Sequence, residues 1–211
     1  MVYILPSELA KHNHRDSAWV CIFGSVLDIT PLIHQEPPLL TASLLGAAGS
    51  DISHWFNKTS FGFRTYTHPD TLKTVPLTPD QLWMLHLHDS TGKLLEQPHP
   101  NPWWKNQDLM IGQLTSRSRH VNFFNMLTHD RTTLEVAAEE TLIDIARRLF
   151  LHNSHCLSYT WKHCGKELDM EKTLDGNGIE DIELVFSEAS LPSEEAIPCI
   201  CLYFNDDLTV A

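Results

Sequence analysis

Positive charge is scarce in this chain: 15 Lys and Arg stand against 27 Asp and Glu, a formal net charge of −12. Phosphate backbones are bound by clustered cations, so a nucleic-acid partner is not expected. An acidic surface suits protein partners with basic patches, and it also serves solubility. No run approaches the roughly 18 apolar residues of a membrane helix, so no membrane partner is expected either. The opening "MVYILPSELAKHNHRD" lacks a basic region ahead of its apolar patch and a small-residue cleavage site, and reads as folded structure. The five cysteines, Cys21, Cys156, Cys164, Cys199 and Cys201, are odd in number and lack a CxxC spacing. Reduced thiols in a cytosolic compartment follow as the simplest reading. Cys199 and Cys201, two apart on an expected strand and facing the same way, read as small core residues. GxSxG, P-loop, GxGxxG and HExxH patterns are all missing, so no enzyme is expected.

What is present is an ordinary globular balance of 42% hydrophobic and 20% charged residues, which argues against long disorder. The stretch 69–106 concentrates Pro, His and Trp without a period and reads as an irregular excursion, with a short hairpin at Ser90, Thr91 and Gly92. Trp103 and Trp104 within it read as an anchor onto a second domain or a partner. "SRSRH" (116–120) reads as a linker between domains spanning 1–115 and 121–211. Beyond it, "VNFFNMLTHDRTTLEV" gives two β-rich runs around His129-Asp130-Arg131, a hairpin signal. Leu142, Ile145, Ala146 and Leu149 recur at helical spacing, with Thr141 and Asp144 as a capping pair. "SYTWKH" is a strand turned by Cys164, Gly165 and Lys166. "IPCICLYF", apolar on both faces, reads as a central strand. The fold class is α+β.

Several of these segments resemble known families. "LTHDRTTLEVAAEETLIDIARRL" resembles the first hairpin and helix of ubiquitin, and "GKELDMEKTLDGNGIED" its later loop, with Gly165, Lys166, Leu168, Thr173, Leu174 and Ile179 in matching places. That resemblance covers 120–205 and implies a β-grasp domain. The sequence closes on "FNDDLTVA" and not on a double glycine, so a docking module is expected, not a conjugated modifier. The N-terminal half is similar to cytochrome b5. Ser7 is an expected helix cap, "AWVCIF" and "VLDIT" pair through the Gly24-Ser25 turn, and Asp28 and Thr30 cap the next turn. "AAGSDISHWF" and "LMIGQL" extend the resemblance over about 3–115.

In that family two neutral imidazoles hold haem iron, the first from a His-Pro-Gly-Gly loop. Counted from Thr30, this position falls on Glu36 in a Glu-Pro-Pro-Leu loop; counted from Asp51, the second falls on Phe61. Both have changed. The resemblance implies haem b, with His68, His54 and His34 as candidate ligands and Phe56 as a candidate haem contact. Ile52, Trp55 and Phe56 form an i, i+3, i+4 apolar face, and about 100° per residue sets His54 nearly opposite it. With 13 histidines in 211 residues, surface and capping roles stand beside ligation for each candidate.

A b5-like half followed by a ubiquitin-like half ending "YFNDDLT" resembles a family of cytochrome b5 domain-containing proteins associated with motile cilia and radial spokes. The resemblance implies protein partners in the ciliary axoneme, radial spoke subunits among them, and a cytoplasmic, cytoskeletal location in the cilium or flagellum. Two functions follow from it: a haem-binding redox sensor of ciliary beating, or a haem-less adaptor that keeps both folds for docking alone.

Overall fold

A computed structural model describes residues 2–70, 72, 74–77 and 102–205. The chain divides into two compact units, Met1–Leu114 and Thr115–Ala211. In the first, the elements run β1 (Tyr3–Ile4), α1 (Pro6–Leu9), β2 (Asn13–His14), β3 (Ser17–Ile22), β4 (Ser25–Asp28), α2 (Thr30–Gln35), α3 (Pro38–Gly46), β5 (Thr65–Thr67), β6 (Thr74–Pro76) and β7 (Met110–Leu114).

The strand order β1-β7-β4-β3-β2 makes one five-stranded sheet. Its β3–β4 hairpin turns on Phe23 (φ 50) and Gly24 (φ 86), a pair of left-handed residues that matches the twist of the flanking strands. The Asp28 carboxylate accepts the Thr30 N–H at 2.9 Å, and the Thr30 hydroxyl accepts the Ala18 N–H at 3.0 Å, so the end of this hairpin is tied as the sequence suggested. Gly112 in β7 admits β1: a Cβ there would lie 2.6 Å from the Val2 carbonyl oxygen. α1 begins on Pro6 directly after Leu5, with no side-chain cap, so Ser7 lies inside the helix and is not its cap. A proline at the first helical position needs no N–H and presets φ, which replaces the expected capping device. The hairpin expected at Ser90, Thr91 and Gly92 lies outside the described residues.

The second unit holds β8 (Ser118–Asn125), β9 (Arg131–Ala137), α4 (Leu142–Leu149), β10 (Tyr159–His163), β11 (Lys166–Glu167), α5 (Glu183–Glu188) and β12 (Cys199–Phe204). Its sheet order is β11-β10-β12-β8-β9, with β8 and β12 parallel at the centre and α4 connecting the first hairpin to β10. That is the topology of a β-grasp unit. Leu142, Ile145, Ala146 and Leu149 are all buried against Val121, Phe123, Trp161, Ile200 and Leu202. Thr141 accepts the Asp144 N–H at 3.4 Å and donates to the Asp144 carboxylate at 2.8 Å, closing the cap read from sequence.

Two expectations change. Residues 116–120 are no free linker: Ser118 to His120 open β8, paired with Ala137, Val136 and Glu135 of β9. Just before them, Glu139 accepts the Thr115 hydroxyl at 2.5 Å and both the N–H and hydroxyl of Ser116, at 2.9 and 2.5 Å. Cys199 and Cys201 share one face of β12, but the core takes Ile200 and Leu202, so the two thiols sit half-buried on the opposite face.

Burial raises the Glu139 pKa, but the hydrogen bonds from Ser116 and Thr115 outweigh it and bring the group down from 4.5 to about 2. A lowered folded value means that this contribution to stability is complete above pH 4.5 and is lost as pH falls towards 2. In urea melts across that window, Glu139→Gln should lose less stability on acidification than the parent chain. Parallel pH profiles would show that the clamp is not anionic.

Candidate functional site

The candidate site of the first unit is built on the segment that follows α3. Cys21 of β3 accepts the Ile52 N–H at 2.9 Å and donates its own N–H to Ser50 at 3.0 Å, so the segment lies along β3. Ser53 locks it: its hydroxyl accepts the Phe23 N–H at 2.7 Å and donates to Asp51, whose carboxylate also takes the Ser53 N–H at 2.7 Å. A single 3-10 turn, Ser53–Trp55, follows where a helix start was expected. Ile52, Trp55 and Phe56 are buried, and His54 is exposed beside Trp55, ring centroids 5.6 Å apart.

Phe56, expected to touch a cofactor, is fully buried among side chains of its own unit. Phe63 stacks on it at 4.9 Å, Trp104 tilts against it at 5.7 Å, and Trp103 meets it edge-on at 6.4 Å. Hydrogen bonds to backbone carbonyls hold this cluster in place: Arg64 N–H to Trp55 O at 2.8 Å, Arg64 Nε to Phe56 O at 3.0 Å, and Trp104 Nε1 to Phe61 O at 2.8 Å. Trp103 is 7% exposed and its Nε1 has no hydrogen-bond partner among the described residues. The tryptophan pair therefore helps to build the first unit's core, which corrects its reading as an outward anchor. Sequence reasoning missed the role of Phe63 and of this pair; the signal was the density of aromatics at 55, 56, 61, 63, 103 and 104, too far apart along the chain to show any period.

The three candidate histidines face different surroundings. His34 lies on α2 and its Nε2 is 3.8 Å from the Asp16 carboxylate. His54 points to solvent. His68 follows β5 and its Nδ1 accepts the Asp70 N–H at 3.3 Å, with Tyr66 at 6.4 Å. Glu36 ends α2, and Phe61 holds a φ of 50 with 51% of its surface exposed.

The comparisons with known proteins bear on this geometry. Residues 6–114 match the family model of the cytochrome b5-like heme/steroid binding domain. Cytochrome b5 domain-containing protein 1 of Xenopus laevis is 39% identical over 211 residues, covering 98% of this chain and 96% of that protein. The Mus musculus protein of the same name is 36% identical over 219 residues, covering 98% and 91%. A solution structure of an N-terminal ubiquitin-like domain aligns with 46% of this chain and 84% of its own, at 14% identity and a TM-score of 0.33.

The chain belongs to the cytochrome b5 domain-containing protein 1 family.

The b5 domain of this family raises the question of haem, and the donor set can be tested against it. No histidine among the described residues is buried. His68 Nδ1 accepts the Asp70 N–H at 3.3 Å, so as placed that nitrogen is turned to the chain's own backbone. Phe56, which a porphyrin would have to reach, is covered by Phe63, Trp103 and Trp104. The described residues of this b5 domain do not fit a haem held between two imidazoles.

If Phe56 is a core residue, Phe56→Ala should cost about 3–5 kcal/mol of unfolding free energy, the usual loss for emptying a buried aromatic site. His54→Ala should leave the chemical-denaturation midpoint unchanged. Equal midpoints for Phe56→Ala and the parent would show that the cluster carries no core packing.

Proposed function

We propose that this protein is a non-enzymatic docking component of the ciliary axoneme, associated with radial spoke subunits, in which the b5 fold serves as a scaffold and the β-grasp unit binds the partner. The observation that carries the adaptor reading is the aromatic cluster around Phe56, together with three histidines aimed at Asp16, solvent and the Asp70 backbone. The ciliary assignment rests on the resemblance to a family associated with motile cilia. A net charge of −12 supports a partner with a basic surface.

A second reading, a haem-bound redox sensor of ciliary beating, is favoured by one feature. The Phe56–Phe63 bridge and the Arg64-to-Trp55 hydrogen bond place His54 beside the start of β5. His68 then lies about 10 Å further along at about 3.3 Å per extended residue.

An absorbance titration of the full chain with hemin, oxidised and then reduced, decides between them. The adaptor reading expects a weak Soret band indifferent to His34→Ala, His54→Ala and His68→Ala. A sharp six-coordinate b-type spectrum lost in two of these variants would overturn it and establish the redox reading. For the docking half, removal of 120–211 should abolish incorporation into axonemes; retained incorporation would refute partner binding through the β-grasp unit.

A further inference from the structure

The outer face of the second sheet carries chemistry that neither reading uses. With Ile200 and Leu202 turned inward, Cys199, Cys201 and Tyr203 form one outward row on β12. Cys199 lies opposite Asn122, and Cys201 is flanked by Phe124 on one side and Lys162 on the other. The Lys162 ammonium sits 5.1 Å from the Tyr203 ring centre, and Arg131 pairs with Phe124 one strand further on. The result is two free, half-buried thiols set between two cations on a chain of net charge −12.

We propose that Cys199 and Cys201 form a dithiol site for a monovalent, thiophilic d10 metal ion of the Cu(I) class. Strand geometry sets the two Cα atoms about 6.6–6.8 Å apart, the upper limit for a disulfide, so a direct S–S bond between them is strained. An intervening ion relieves that constraint: two metal–sulfur bonds of about 2.3 Å each can span up to about 4.6 Å. Soft thiolate pairs select Cu(I). Zn(II) prefers four ligands, and the described residues supply no third His, Cys, Asp or Glu to complete such a set.

Charge gives the same assignment. On binding, each S–H releases its proton to solvent, two S–Cu bonds form, and copper remains at +1, so no oxidant or reductant is consumed. The product carries one net negative charge, which Arg131 and Lys162 offset. Burial raises the Cys199 pKa, the neighbouring Cys201 raises it further, and Arg131 opposes them. The metal must therefore displace protons, and affinity should rise with pH.

The test is an anaerobic competition of the full reduced chain for Cu(I) against a chromogenic bidentate chelator, with circular dichroism confirming that each variant is folded. The parent chain should withdraw one equivalent. Cys199→Ser and Cys201→Ser should each lose the competition, while Cys164→Ser matches the parent. Arg131→Ala should keep the stoichiometry and weaken affinity by about tenfold, the lower end for loss of a supporting group around a metal site. Undiminished competition by the Cys199→Ser/Cys201→Ser double variant would overturn the site, as would no withdrawal by the parent. Equal affinity for Zn(II) would overturn the monovalent assignment.

Discussion

The packing of Phe56 sets the terms for the first unit. Full burial of a phenylalanine contributes about 1.5–3 kcal/mol, and each well-placed aromatic neighbour adds about 0.5–1.5. Phe56 has three such neighbours, and the Arg64 backbone bond and the Trp104 indole bond fix where two of them sit. A porphyrin lying against Phe56 would have to displace at least one tryptophan and recruit two imidazoles that now face elsewhere. The packing and the hydrogen bonds thus oppose cofactor binding together, although residues 6–114 still match the cytochrome b5-like family model.

Much of this was legible in the sequence, and the part that was not has physical causes. The α4 stripe, the Thr141 cap and the Asp28–Thr30 turn depend on residues within a few positions of one another, which is the range over which pattern carries information. The outward setting of His54 came from helical periodicity and holds in a single 3-10 turn, because Ile52, Trp55 and Phe56 still take the inner side. Trp103 was misread because its partners lie some forty-seven positions away, at Phe56. Cys199 and Cys201 illustrate a different limit. Period two fixes that they share a face, but β12 is apolar on both faces, so sequence alone could not choose which face is inward. Register with β8 chooses: Ile200 falls opposite Phe123, and both are buried.

Residues 116–120 show how polarity misleads at a boundary. Ser, Arg and His suggest solvent and mobility, yet Arg119 is 2% exposed, bonded to Asp175 at 2.7 Å and to the Ile179 carbonyl at 2.8 Å. A buried guanidinium is tolerable only with such partners. The second unit therefore begins at the Thr115–Glu139 clamp, before its first strand.

That unit also limits how a partner can approach. β9 is an edge strand, and open edges invite another strand to pair. Here Arg148 donates to the Glu135 carbonyl at 2.8 Å, and Glu140 accepts the Ala137 N–H at 2.9 Å. The two side chains join each other at 3.1 Å, so the latter half of the edge is closed by a salt-bridged pair. Strand addition along that half would have to break the pair and leave the nearly buried Glu140 carboxylate without its guanidinium, a cost that extended-strand hydrogen bonds must first overcome. The outer sheet face carries no such obstruction along Phe124, Cys201 and Tyr203, where aromatic surface, cations and thiols lie together. For the docking role proposed for this β-grasp unit the outer face is thus the more open approach, and a metal ion held there would alter the charge of that surface.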